Sequence, residues 1–248
     1  MSGAPALVLV GHGSSSHAAA GRQIVEQARQ VARRGNFGQV RAVTLHGRPG
    51  LADALSGLFT SRVLILPMMM CDGETAGHRL RQALQLDGME TRRDGRVLRL
   101  LAPIGLHAGL DDIIERRIAD RLRAGGHAAS NGTGLLVGHG SSRDPASREA
   151  AEGLAERLRR RGRLAGVRTA FLSQPPFLAD VLPTMSAPSV AIGLFMAPAW
   201  HAVNDVPRAI AAAGLPNRLP YLGPVGADSA MVDLIVEAAG DQALTVAA

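Results

Sequence analysis

The sequence predicts an α/β protein of two tandem domains, each a small parallel sheet flanked by helices, the two related by internal duplication. Three observations carry this expectation. Gly11-His12-Gly13-Ser14-Ser15 recurs as Gly138-His139-Gly140-Ser141-Ser142, a spacing of 127 residues. Short apolar runs rich in Val, Ile and Leu alternate with longer amphipathic stretches, the βα pattern of a parallel sheet. The length, 248 residues with 46% hydrophobic content, suits one large α/β unit or two small domains, each with a modest core.

Taken in order, the apolar runs place strands of the first half near 5–10, 40–45, 62–67 and 97–101. Amphipathic segments place its helices near 17–34, 50–59, 75–86 and 108–123. The second half repeats the series, with strands near 133–137, 167–172, 188–195 and 219–222 and helices near 145–161, 176–184, 204–213 and 228–239. The repeat supports this parsing without a gap: at a spacing of 127, Val40-Arg41 matches Val167-Arg168, Pro49 matches Pro176, Leu51-Ala52-Asp53 matches Leu178-Ala179-Asp180, and Met69 matches Met196. A shorter connection then reduces the spacing to 121, where Pro103, Gly105 and Asp112 match Pro224, Gly226 and Asp233. Between the halves, Ala124-Gly-Gly-His-Ala-Ala-Ser-Asn-Gly132 has the small and turn-forming residues of an exposed linker. The expected domains are therefore 1–124 and 133–248, with a loose tail after Gly240.

Composition excludes several functional classes. No apolar run approaches the roughly 20 residues of a membrane span, the N-terminus lacks the pattern of a secretory signal, and the single cysteine permits no internal disulfide. The cytoplasm is the expected compartment. The formal charge is +6, and all 27 basic residues are arginine. Arginine pairs bidentately with carboxylates and phosphates, which suits an acidic ligand. The densest basic run, Arg157 to Arg163, has no interleaved aromatic residues for bases to stack on, so nucleic acid is not an expected partner.

The chemistry is expected at the carboxyl ends of the strands, where open parallel sheets bind ligands. Gly-His-Gly-Ser-Ser occupies that end of the first strand in both halves, and Met196-Ala-Pro-Ala-Trp200-His201 follows the third strand of the second half. With a strand order of 2-1-3-4, strands one and three are neighbours, about 4.8 Å apart, and His139 and His201 face one crevice. Two such imidazoles suit an open metal site or a proton acceptor better than a structural zinc site. The motif serines are expected to cap the following helices, since no Gly-x-Ser-x-Gly elbow surrounds them. His12 is expected to lack its partner, because the position matching His201 is Glu74. His17, His46, His78, His107 and His127 have weaker cases, Cys71 reads as an inert small hydrophobe, and Arg143 is the best single choice for a substrate carboxylate.

The paired Gly-His-Gly-Ser motifs, the segment His201-Ala-Val-Asn-Asp205-Val-Pro207 and the Pro-x-Gly segments at 103–105 and 224–226 resemble the class II chelatases. The resemblance is specifically to the two-domain sirohydrochlorin cobaltochelatases and ferrochelatases of the CbiX type, over nearly the whole chain. It implies two chelatase-like, flavodoxin-like domains with an active-site histidine pair between two lobes. It also implies insertion of Co²⁺ or Fe²⁺ into sirohydrochlorin, in cobalamin or siroheme biosynthesis, without ATP. No cofactor beyond the substrate metal is implied. The residues carry over asymmetrically: His139 and His201 match both family histidines as catalytic residues and metal ligands, whereas Glu74 is a third ligand or proton outlet. The alternative is a carrier of tetrapyrrole or metal without turnover. A monomer is expected, with a homodimer as the alternative.

Overall fold

In a computed structural model, residues 3–13 and 18–244 are described. Two parallel-dominated sheets flanked by helices form the architecture that the repeat predicts. The first contains β1 (Ala6–Gly13), β2 (Gln39–His46), β3 (Arg62–Met68), β4 (Glu90–Arg93) and β5 (Arg96–Leu100), in the order β2-β1-β3-β5-β4. The second contains β6 (Thr133–Gly138), β7 (Gly166–Phe171), β8 (Ser189–Gly193) and β9 (Tyr221–Pro224), in the order β7-β6-β8-β9. Both orders place the first strand of the half centrally, between its second and third, as the 2-1-3-4 arrangement requires.

β4 is an addition to the expected strands. It pairs antiparallel with β5, Arg93 opposite Arg96, across a turn at Asp94 and Gly95 that both have positive φ, 52° and 70°. An Asp-Gly pair of this kind is the usual two-residue hairpin signal. The strand it closes is polar, Glu90-Thr-Arg-Arg93, and so lacks the apolar content by which the other strands are recognised.

The helices are α1 (Ala18–Arg34), α2 (Leu80–Leu84), α3 (Gly109–Ala124), α4 (Ala146–Arg161), α5 (Leu178–Val181), α6 (Val206–Ala212) and α7 (Met231–Leu244). The helix expected over 50–59 is reduced to a 3-10 turn at Leu51–Asp53. Those expected near 75–86 and 204–213 each begin with a wide π turn, Thr75–Arg79 and His201–Asp205, before continuing as α2 and α6. No helix among the described residues is long and apolar enough to cross a membrane.

The compact units do not follow the halves of the repeat. One unit comprises Met1–His107 together with Ser229–Ala248, the other Ala108–Asp228. The boundaries expected at 124 and 133 mark the duplication, but the last helix of each half belongs to the unit built on the other half's sheet. In the first unit α7 packs beside α1, with Asp233 2.5 Å from Arg34. In the second, α3 packs on β8 and beside α4. Each sheet is thereby covered on both faces, as its near-continuous apolar strands demand.

In the first unit Ala6, Val8 and Val10 join Val63, Ile65, Leu80 and Leu84 in one buried cluster, and alternation sends Leu7 and Leu9 to the opposite face. α1 covers β1 and β2 and buries Ile24, Ala28 and Val31, the i, i+4, i+7 stripe of a core-facing helix. The second unit repeats the plan, with Leu135, Val137, Ala191, Leu178, Val206 and Ile210 clustered.

The basic run near Arg157 is explained within the second unit. Arg157 grips Asp111 of α3 through two bonds of 2.7 and 2.9 Å, and Arg161 and Arg163 reach Glu115 at 3.3 and 3.1 Å. Asp111 and Glu115 are buried. The run therefore fastens α3 to α4, and the bond to Asp111 raises the pKa of Arg157 further, holding its charge.

Candidate active site

β6 delivers His139 to the carboxyl end of its sheet, and the following glycine fixes how it is presented. Gly140 has φ of +78°, and a Cβ there would lie 2.7 Å from Gln174 Cγ and 3.0 Å from Phe171 Cβ. Only glycine combines that conformation with that approach to the tip of β7. The His139 carbonyl accepts bonds from the N–H groups of Leu172 and Ser173, at 3.1 and 2.9 Å, so the backbone is held while the imidazole stays exposed. Its Nδ1 lies 2.8 Å from the Gly140 carbonyl oxygen. A carbonyl can only accept, so Nδ1 carries a proton, and in the neutral ring the lone pair is on Nε2.

His201 reaches the same place by a different route. β8 ends at Gly193, and the chain crosses to Trp200 before the π turn His201–Asp205, a backbone form frequent at functional sites. That wide turn sets Asp205 below two side chains at once. Its Oδ2 lies 2.6 Å from His201 Nδ1, and its Oδ1 accepts from Trp200 Nε1 at 3.1 Å. Buried Ala202 and Val206 anchor the turn. The carboxylate orients the ring, favours the Nδ1–H form and leaves Nε2 as the ligating nitrogen, the usual arrangement behind a metal-binding histidine.

The approach to His201 is held by the second Pro-x-Gly segment. Gly226 N–H donates to Phe195 O at 3.0 Å, and a Cβ on Gly226 would fall 2.2 Å from Met196 O and 2.4 Å from Met196 Cα. The first unit repeats this contact, with Gly105 N–H on Met69 O at 2.9 Å and its Cβ position 2.4 Å from Met70 Cα. Each glycine serves to let the chain press on the loop that follows the third strand.

The outcome is a pair of imidazoles whose centroids are 4.4 Å apart with planes at 74°. Two imidazoles bound to one ion through metal–nitrogen bonds of about 2.0–2.1 Å have centroids roughly 4.5–5.3 Å apart, so a small ring movement completes the geometry. Trp200 and Val203 beside the pair are 46% and 45% exposed, an apolar surface suited to the face of a flat ring. Arg143 is exposed on the loop after Gly140.

His139 and His201 are thus brought together as their strand positions predict. Glu74 belongs to the first unit, where its exposed carboxylate pairs with Arg79 at 3.0 Å. No group of three or more His, Cys, Asp or Glu residues with metal-holding geometry occurs among the described residues. The expectation that His12 stands without a partner is corrected: His46, at the end of β2, lies beside it with centroids 5.0 Å apart. The partner comes from the neighbouring strand on the side opposite to β3, and so escapes any comparison made only at matched positions of the repeat.

Serine capping is also revised. Ser141 Oγ accepts from the N–H groups of Arg143 and Asp144, both at 3.2 Å, and Asp144 Oδ1 accepts from Ala146 N–H at 2.9 Å. Asp144, not the serine, serves the start of α4. Ser14, Ser15 and His17 lie outside the described residues.

The CbiX family model matches residues 6–121 and again 133–242, once for each half. The chain belongs to the CbiX family. Among its relatives, a probable sirohydrochlorin cobaltochelatase of Halobacterium salinarum is 23% identical over 269 residues, covering 95% of this chain and 91% of that protein. A solved CbiX, described as the terminal enzyme for biosynthesis of siroheme in denitrifying bacteria, is 27% identical with a TM-score of 0.78, covering 95% of this chain and 98% of its own. A multi-domain Deinococcus radiodurans protein with structural similarity to chelatases is 25% identical with a TM-score of 0.80, and this CbiX chain, 96% covered, spans 54% of its length. SirB from Bacillus subtilis, solved with Fe³⁺, shares the fold at a TM-score of 0.79 and 16% identity, over 97% of this chain and 96% of that one.

Proposed function

We propose that the chain inserts Co²⁺ or Fe²⁺ into sirohydrochlorin, with His139 and His201 as the reacting centre. The observation that carries this reading is the 4.4 Å approach of two exposed imidazoles whose Nδ1 atoms are engaged, which leaves both Nε2 lone pairs for the reaction. Sirohydrochlorin enters with two pyrrole N–H groups and leaves with four nitrogens on the metal. Two protons must therefore depart for each divalent ion that arrives.

His201, steadied by Asp205, holds the incoming ion, and His139 accepts the two pyrrole protons one after the other and passes each to solvent. Insertion by this route consumes no ATP, because metal–nitrogen bonding supplies the driving force. Exposed Trp200 supports the macrocycle, and Arg143 pairs with one of its carboxylates. Cobalt serves cobalamin and iron serves siroheme, and imidazole nitrogen accepts both metals.

Purified protein mixed with excess sirohydrochlorin and Co²⁺ or Fe²⁺, followed by absorbance, should give many turnovers per chain. Spectral change that stops at one equivalent would replace the enzyme with a carrier. Competition between the two metals at equal free concentration identifies the preferred substrate.

A further inference from the structure

We propose that Gln174 is a positioning residue for the metallation assigned to His139, its carboxamide taking over the Gly140 carbonyl oxygen whenever the imidazole leaves it; this role rests on the reaction proposed above. Gln174 is 7% exposed, and its Nε2 is buried with no hydrogen-bond partner among the described residues. A buried donor without an acceptor is costly, and its retention calls for a reason.

The surroundings supply one. Gln174 packs on Gly140, its Cδ 3.1 Å from where a Cβ on that glycine would stand. Rotation about the terminal side-chain bonds therefore brings the amide to the Gly140 carbonyl oxygen, which His139 Nδ1 occupies at 2.8 Å. The backbone on both sides is held. His139 O accepts from Leu172 and Ser173, and Phe171 N–H donates to Pro176 O at 2.9 Å, closing the turn that carries Gln174. Only the two side chains are left to exchange.

Exchange is what the reaction asks for. For each of two protons the His139 ring must face the macrocycle and then water, while its backbone stays fixed. Each reorientation breaks the Nδ1–H bond to Gly140 O and leaves that oxygen without its donor. The Gln174 amide then donates to it, so one hydrogen bond replaces another. Because this bond forms only in the displaced state, it speeds the step without tightening the binding of either substrate.

The first unit has the same imidazole contact without the carboxamide. His12 Nδ1 lies 3.1 Å from Gly13 O, and the position matching Gln174 at a spacing of 127 is Gly47, which has no side chain. The donor stands only in the half whose histidine is assigned the reaction.

The test is steady-state metallation of sirohydrochlorin with Co²⁺ by the full chain, native beside Gln174→Met, with thermal melts of both. Methionine keeps the length of the side chain and removes the donor. Loss of one exchangeable hydrogen bond should lower kcat about 3- to 10-fold. KM for both substrates should be unchanged, and Tm unchanged or raised, because a buried unpaired donor has gone. Gln174→Leu provides a second variant should the methionine form fail to fold. Native kcat, a change confined to KM, or a fall in kcat matched by a fall in Tm would overturn the proposal, the last being what a merely structural glutamine gives. Absence of turnover in the native chain would overturn the metallation itself and this role with it, whereas native turnover with an unaltered Gln174→Met rate removes the role alone.

Discussion

Asp205 touches no substrate in the proposed reaction, yet it governs the orientation of His201, and replacing it separates positioning from folding. In Asp205→Ala the 2.6 Å contact to His201 Nδ1 and the 3.1 Å bond from Trp200 are lost together. Removing the partner behind a metal-binding histidine weakens metal affinity or activity by about 10- to 100-fold, equivalent to about 1.4–2.7 kcal/mol. The fold should hardly respond. The His201 and Asp205 side chains are 48% and 33% exposed, so water replaces much of what is lost and the stability change stays below about 1 kcal/mol. In a chain of this size that lowers Tm by no more than about 2–4 °C. The assay is the initial rate of sirohydrochlorin metallation against free Co²⁺, beside a thermal melt. The apparent KM for metal should rise by at least tenfold in Asp205→Ala and less in Asp205→Asn, which retains an acceptor. Unchanged metal dependence in a folded Asp205→Ala chain would refute the claim that this carboxylate sets the ligand.

The ion pair between α3 and α4 should respond unequally to its two deletions: Asp111 is 2% exposed and Arg157 42%. Arg157→Ala leaves a buried carboxylate with Arg161 3.7 Å away and should cost about 2–3 kcal/mol, whereas Asp111→Ala frees an arginine that water can reach and should cost about 1 kcal/mol. Equal losses in urea melts would contradict that reasoning. Tyr221 Oη is buried with no hydrogen-bond partner, and burial pushes the phenol well above its ordinary value against the opposing pull of Arg117. Tyr221→Phe should therefore be stabilising by about 1 kcal/mol at neutral pH. The raised folded value means that stability from the neutral phenol is complete below about pH 10 and declines above it, so the native chain should lose more stability than the variant in alkali. Gly226→Ala should cost about 1–3 kcal/mol and slow metallation by displacing the loop to His201, while Gly153→Ala, with no contact nearer than 3.7 Å, should stabilise α4 by about 0.5–1 kcal/mol. A Gly226→Ala chain with native rate and stability would sink that account of the motif.

The sequence carried the fold wherever local pattern and repetition agree. The apolar runs located every strand with a buried face, and the repeat made the central position of β1 and β6 apparent. From that order alone followed the meeting of His139 and His201. β4 was hidden because a polar edge strand has no apolar signature, although Asp94-Gly95 announced its turn. The exchange of α3 and α7 was illegible for a different reason. Each helix has an ordinary amphipathic pattern that suits either sheet, and the choice depends on remote contacts such as Asp111 with Arg157. The His12–His46 pair was readable in principle, since a strand order with the second beside the first already brings those tips together.

The central claim is that metallation belongs to the imidazole pair of the second unit and not to its relic in the first. Its most direct test is the turnover rate of His139→Ala beside His12→Ala, with sirohydrochlorin and Co²⁺ saturating for the native chain. The account predicts that His139→Ala abolishes turnover while His12→Ala retains most of it. Equal losses, or a greater loss from His12→Ala, would contradict it.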